Sequence, residues 1–401
     1  MKIVVQKFGG TSVSTPERRK CVIEKVLSAI NDGFNPIVVV SAMGRKGEPY
    51  ATDTLLSLID SDFKKSNKQA LDLLMSCGEI ISTVIMSNEL KKAKINAIPV
   101  TGGQAGILTD DNYTNAAVKK VKPENLLNIL SLGKVPVVAG FQGKSENGFF
   151  TTLGRGGSDV TASLIGSAVK AQKIEIYTDV DGIMTADPRV VNDASLIEKI
   201  SYNEIFEFAE QGAKVIHPRA VEVAMKSDIP IMIKNTLNHC SGTLINKSGD
   251  TSNKNIITGI TSLSGRVQIR ISLESNKKAV DSTEFFNNLA LNKISIDLIN
   301  VFPKESIFTI DEKDLNKLEG ILKQYNIKYS LEKNCSKIAV IGSRICGVPG
   351  VMARILKAIT KEGIEVLQTA DSHITIWCLV KSNLKDKAIK SLHDEFNLNN
   401  K

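Results

Sequence analysis

Across the first 240 or so residues, short apolar runs alternate with segments of helical period, and this restricts the possible folds more than any other feature of the chain. The runs at residues 3–6, 37–41, 97–101, 135–140, 174–178 and 231–234 are apolar almost throughout rather than alternately. A strand covered by helices on both faces needs that pattern, so the expectation is an open α/β sheet sandwiched by helices. Several runs end in Gly, Ser or Thr. Ligands of open α/β sheets gather at the carboxyl ends of the strands, so the chemistry is sought there.

Between residues 238 and 255 the sequence turns polar and loses its period, which places a boundary between domains. Beyond it a weaker pattern occurs twice. Phe285, Phe286 and Leu289 mark a helix before an apolar run at 294–299 and a strand at 307–310; Val351, Ile355, Leu356 and Ile359 mark another before runs at 364–367 and 374–379. Two ferredoxin-like βαββαβ modules follow. The expected domains are 1–243, 256–335 and 336–401, with strands open to exchange between the last two.

Composition removes several function classes. The formal charge is +8, but the lysines are dispersed and aromatics make up only 5% of residues, so a solvated surface explains the charge better than nucleic-acid binding does. Six cysteines without a C-x-x-C pair argue against disulfides and structural zinc. The apolar runs are far short of the roughly 20 residues that span a bilayer, and the chain enters a strand at once without a leader pattern. The expectation is a cytoplasmic protein with no membrane or nucleic-acid partner.

Five elements are candidates for the chemistry. Lys7-Phe8-Gly9-Gly10-Thr11-Ser12 leaves a strand for two glycines and two hydroxyls. Adjacent glycines let backbone N–H groups approach an anion, and one fixed cation, Lys7, can neutralise a moving phosphoryl group. A lone Gly-Gly also fits an ordinary turn. Gly154-Arg155-Gly156-Gly157-Ser158-Asp159 adds a second tight turn at a helix start, with a guanidinium fork suited to a carboxylate. Asp159 beside a phosphate site would orient Lys7 or help hold magnesium through water, while Ser158-Asp159 also reads as a plain helix cap. Tyr177-Thr178-Asp179-Val180-Asp181-Gly182, running on to Arg189, lacks the spacing of a calcium loop and reads as a nucleotide-lining segment. Gln211-Gly212-Ala213-Lys214 supplies another candidate phosphate ligand, whereas His217, before a proline and without a partner Ser or Cys, reads as structural. In Ser76-Cys77-Gly78-Glu79, Glu79 is either part of a small-residue helix or a ligand for a substrate ammonium.

Together with Val39-Val40-Ser41-Ala42-Met43-Gly44 and the paired carboxy-terminal modules, these elements in this order resemble the aspartokinase family over essentially the whole chain. A longer stretch, Arg45 to Ala51, separates Met43-Gly44 from Thr52-Asp53 than in many members.

The resemblance implies ATP- and Mg2+-dependent phosphorylation of the side-chain carboxylate of L-aspartate, the first step toward diaminopimelate, lysine, threonine and methionine. A carboxylate is already ionised at neutral pH, so no general base is needed. The implied catalytic residues are Lys7, Asp159 and Lys214, with Gly9, Gly10 and Ser12 N–H groups on the phosphate. Thr11, Ser41, Thr52, Glu79, Arg155 and Ser158 would bind aspartate, Arg155 its α-carboxylate and Glu79 its ammonium. Thr178, Asp179, Asp181, Arg189 and Lys214 would line the nucleotide, and no protein side chain is assigned as a direct metal ligand. The modules resemble ACT domains, which implies a homo-oligomer and feedback by an amino acid: lysine first, meso-diaminopimelate or threonine behind it, with Asp281, Ser282 and Asp297 as candidate contacts. Two other readings are a same-fold kinase for glutamate, acetylglutamate or uridylate, against which Arg155 and the ACT pair argue, and an inactive amino-acid sensor, against which the intact Lys7, Asp159 and Lys214 argue.

Overall fold

The computed structural model describes residues 1–213, 215–251, 255–272 and 282–399, Ser282 by its backbone only. They form two compact units: Met1–Ile183, Leu196–Ala209 and the described part of 214–253 in one, and Met184–Ser195, Glu210–Ala213 and the described part of 254–401 in the other. Residues 184–195 and 210–213, expected in the amino-terminal domain, thus pack with the carboxy-terminal unit.

The first unit is built on an eight-stranded sheet in the order Lys199–Ser201, Thr243–Asn246, Ile231–Asn235, Lys173–Thr178, Ile3–Phe8, Asn35–Val40, Val135–Ala139, Ala97–Val100. All six runs predicted from sequence lie in it. Its pairings are parallel except between Ile231–Asn235 and Thr243–Asn246. Helices Pro16–Asn31 and Lys68–Lys92 enclose one core with Phe8, Val38, Val40 and Val137. Helix Gly157–Ala168 lies on the other face, where Gly166 lets it approach Ile174 and Val5. Side chains alternate along a strand, so Lys7 shares the Val5 face and meets the start of that helix. A four-stranded sheet, Val118–Val121, Ile107–Thr109, Gln142–Ser145 and Phe150–Thr152, completes the unit.

Helix Lys68–Lys92 is long and apolar enough to cross a bilayer. Its inward face nevertheless carries Asp72, Ser76, Glu79, Ser82 and Thr83, all buried, which makes it a core helix with a polar face.

The second unit has one six-stranded sheet, Ile296–Val301, Glu305–Asp311, Gly259–Ser272, Tyr329–Ile341, Thr375–Lys381, Gln368–Asp371. Its two longest strands serve both modules: residues 259–263 pair with 337–341, and 266–271 with 329–335. The expected boundary at 335/336 falls inside a continuous strand. Helices Ser282–Leu291 and Leu315–Gln324 cover a core of Val267, Ile269, Phe308 and Leu318, and Val351–Lys361 and Lys385–Glu395 cover Ile338, Val340, Ile355 and Leu392.

Two predicted strands start late for the same reason. Ile294 donates its N–H to Leu289 O and Ile364 to Ile359 O, each after a residue of positive φ, Lys293 at 56° and Gly363 at 70°. Both helices therefore end in a six-residue turn whose last apolar residue plugs the core. Strands begin only at Ile296 and Gln368, so the run at 364–367 is not a strand.

Candidate active site

Strand Ile3–Phe8 ends by delivering Lys7, whose Nζ lies 2.7 Å from Asp159 Oδ1 with both side chains nearly buried (12% and 13% exposed). Asp159 occupies the first turn of helix Gly157–Ala168, where the dipole favours a carboxylate. Gly156 at the cap has φ 67°, and a Cβ there would sit 2.3 Å from the His217 side chain. His217 accepts from Arg219 N–H at 3.3 Å and caps helix Pro218–Lys226, a structural role.

After Lys7 the chain closes into the one-turn helix Gly10–Val13. Gly10 is required there, because a Cβ would lie 2.4 Å from the Ala42 carbonyl oxygen. The amides are used differently from the expectation. Gly9 N–H donates to Tyr177 O and Ser12 N–H to Gly9 O, while Ser12 Oγ shares a 2.7 Å hydrogen bond with Thr236 Oγ1. The turn consumes the Gly9 and Ser12 donors, leaving Gly10 and Thr11 as the amides without a hydrogen bond among the described residues.

Glu79 is only 3% exposed. Its Oε1 accepts from Ala42 N–H at 3.2 Å, and Oε2 has no hydrogen-bond partner among the described residues. Burial pushes its pKa up to about 8. The helix reaches this corner through Gly78, whose Cβ would stand 2.8 Å from Ala42 Cβ and 3.0 Å from Tyr50 O. Ser41 is fixed beside it by its N–H bond to Phe8 O at 3.2 Å.

Arg155 is exposed and makes no ion pair or hydrogen bond among the described residues. Its loop is held from both sides. Arg219 Nη1 donates to Leu153 O at 2.7 Å, and Gly154, at φ 74°, lies against Asn115. Ser158 is buried over Gly140, where a Cβ would come within 2.7 Å of Ser158 Oγ.

Thr52 opens the short helix Thr52–Leu56 and is half-buried. The longer loop before it is tied down by Gly47 N–H to Thr54 Oγ1 at 3.0 Å and by an exposed Arg45–Asp179 pair at 2.8 Å. Thr178 O accepts from Thr236 N–H and Oγ1–H at 2.9 and 3.1 Å. Asp181 accepts from Asn238 and Asn235, both at 2.7 Å, and these bonds hold its carboxyl below the usual range.

Two of the expected ligand contacts already have protein partners. Arg189 belongs to the second unit, where its guanidinium forks Asp187 at 2.7 Å, a partner only two residues away. Asp297 already has a cation: its Oδ2 pairs with Lys337, which is 3% exposed and stands 5.6 Å from the Trp377 ring centroid. Lys214 and Asp281 lie outside the described residues, as does the side chain of Ser282.

Sequence reasoning missed Asp72, Thr236 and Lys337. Asp72 had a usable signal, its spacing of seven from Glu79, which puts both carboxylates on one helix face. Thr236 and Lys337 had none, since each meets its partner across more than 35 residues of chain.

Residues 2–235 match the amino acid kinase family and residues 330–394 the ACT domain, so the fold is that of a small-molecule kinase with an appended ACT region. The chain is 43% identical over 403 residues to Aspartokinase 1 of Bacillus subtilis, covering 99% of this chain and 100% of that one. It is 35% identical to the aspartokinase of Geobacillus stearothermophilus over 99% and 98% of the two chains. Among solved structures, E. coli aspartokinase III with aspartate and ADP in its R-state matches with a TM-score of 0.80 at 25% identity, covering 99% of this chain and 100% of that one. The T-state of the same enzyme with lysine and aspartate gives 0.77 at 26% over 98% and 99%. The chain belongs to the aspartokinase family.

Proposed function

We propose that this aspartate kinase transfers the γ-phosphoryl group of ATP to the side-chain carboxylate of L-aspartate, giving 4-phospho-L-aspartate and ADP, with the residues assembled around Lys7. The observation that carries the assignment is Glu79, a buried carboxylate with one oxygen unbonded. A buried acceptor without a partner is costly unless a ligand supplies one, and an α-ammonium is such a ligand. Arg155, with its fork free, takes the α-carboxylate. The acceptor carboxylate then needs no base, and catalysis reduces to alignment and charge neutralisation.

Lys7 supplies the neutralising charge and Asp159 fixes its position, while the Gly10 and Thr11 amides offer donors to phosphate oxygens. Lys214 adds a second cation, and Ser41, Thr52 and Ser158 shape the aspartate end. Thr178, Asp179 and Asp181 line the nucleotide. Asp159 suits magnesium, a hard cation that prefers oxygen donors and keeps its waters, because its second oxygen is not used by Lys7. Magnesium would supply charge neutralisation on the ATP phosphates.

Lysine is the preferred feedback ligand, in line with the lysine-bound E. coli relative, and the second unit is assigned the homo-oligomer contact because paired modules of this kind suit a two-fold interface. All six cysteines are free thiols, which suits a cytoplasmic biosynthetic enzyme at the head of the aspartate-derived pathway. The test is an ATP and aspartate assay with hydroxylamine trapping the acyl phosphate, repeated with lysine, meso-diaminopimelate and threonine. Hydroxamate from aspartate, suppressed by one of the three, is expected; none from aspartate would overturn the assignment.

A further inference from the structure

Asp72 is the second buried carboxylate on the inward face of helix Lys68–Lys92, two turns before Glu79, and it is fully enclosed. Among the described residues no cation pairs with it. It accepts from Thr114 N–H at 3.0 Å on both oxygens, from Thr152 N–H at 2.8 Å and from Thr152 Oγ1–H at 2.8 Å. Burial pushes its pKa up while those bonds pull it down.

The partners show what this arrangement is for. Thr152 ends strand Phe150–Thr152, three residues before Arg155. Thr114 has φ 73°, a conformation that a β-branched residue rarely adopts and that needs an outside restraint. Its neighbour Asn115 is the residue against which Gly154 rests, and Ala116 N–H donates to Thr152 O at 2.9 Å. One carboxylate on the Glu79 helix therefore pins both segments that seat Gly154 and Arg155.

We propose that Asp72 is a positioning residue for aspartate recognition: it fixes the Arg155 loop at a set distance from Glu79, so that the groups assigned to the substrate α-carboxylate and ammonium are held on one frame. This rests on the function proposed above. Displacement of about 1 Å in such a frame costs binding steeply, and the nucleotide side, which Asp72 does not touch, is insulated.

The test uses the full-length protein and steady-state kinetics in both substrates. Asp72→Ala leaves the Thr114 and Thr152 donors unmatched and is expected to raise the aspartate KM at least tenfold, with the ATP KM within twofold of the parent. Asp72→Asn is the rescue, because its amide oxygen can take both N–H groups while its NH2 donates to the Thr152 hydroxyl, and its aspartate KM should stay within about threefold. Should Asp72→Ala fail to fold, Thr152→Val, which deletes one donor alone, should raise the aspartate KM about threefold while Thr152→Ser leaves it unchanged. Unchanged aspartate KM in the folded variants, or equal changes in both KM values, overturns the inference. If the unmodified chain makes no hydroxamate from aspartate, the functional assignment fails instead, so the two failures are separable.

Discussion

The site in the first unit and the polar cluster around Asp297 in the second use the same chemistry and leave it in opposite states. Glu79 keeps an unbonded oxygen and Arg155 a free fork, so the first site is completed only by something brought to it. Asp297 is closed from within: Lys337 takes one oxygen, Leu298 N–H donates to the other at 2.8 Å, and Thr309 Oγ1 donates to its carbonyl at 3.1 Å. Gln368 extends the cluster to Asn300 at 2.6 Å and receives a 2.9 Å bond from Gln268. An amino-acid effector recognised at Asp297 would have to displace a bond already made there. The contrast predicts that an amino acid reaching Asp297 with an ammonium group competes with Lys337.

Breaking the open site should have the larger effects. Lys7→Ala is expected to lower kcat by roughly a thousandfold, since one preorganised charge at a phosphoryl group is worth about that factor, with the aspartate KM little changed; single-turnover kinetics checks it. Arg155→Ala should raise the aspartate KM on the order of a hundredfold with a smaller change in kcat, as loss of a bidentate carboxylate clamp predicts.

Glu79 gives a pH signature. With its pKa raised to about 8, Glu79 is expected to carry at neutral pH a proton that must leave before the proposed ammonium ligand binds. The apparent aspartate KM should therefore rise by up to roughly tenfold for each pH unit below 8 and level off above it, and Glu79→Gln should flatten the profile. The sign for stability is the reverse of an ordinary ion-paired acid: a raised folded-state value favours the folded state at low pH, and that contribution is lost as pH rises from the unfolded value through about 8.

The closed cluster sharpens the comparison through an asymmetry. Asp297→Asn strands a Lys337 ammonium that is 3% exposed and should cost about 3 kcal/mol. Lys337→Met leaves a carboxylate that is 37% exposed and can turn to water, so about 1 kcal/mol is expected, together with tighter binding of an amino-acid effector. Thermal melts with and without lysine measure both. The smallest effect belongs to Arg45→Ala, whose pair with Asp179 is exposed on both sides and should change stability by less than about 0.5 kcal/mol.

The fold was legible where burial is continuous. Val38, Val39 and Val40 or Val137 and Val138 leave no plausible reading but an enclosed strand, and the glycines at 78 and 156 mark close approaches that the structure explains with named atoms. Strand starts after helices were misread because Ile294 and Ile364 look like strand residues and act as helix-end plugs. In the site, residue types pointed to Lys7, Asp159, Glu79 and Arg155. Which amide is free in the Gly9-Gly10 turn, and that Arg189 and Asp297 already have partners, depends on contacts that spacing does not encode.

The strands Gly259–Ser272 and Tyr329–Ile341 run unbroken through both ACT-like halves of the second unit. A break of the chain at 335/336 would part 259–263 from 337–341 and leave unpaired backbone donors and acceptors along both, edges that invite aggregation. Expressed as separate fragments, neither half is expected to stay soluble, so the two should unfold and refold as one unit.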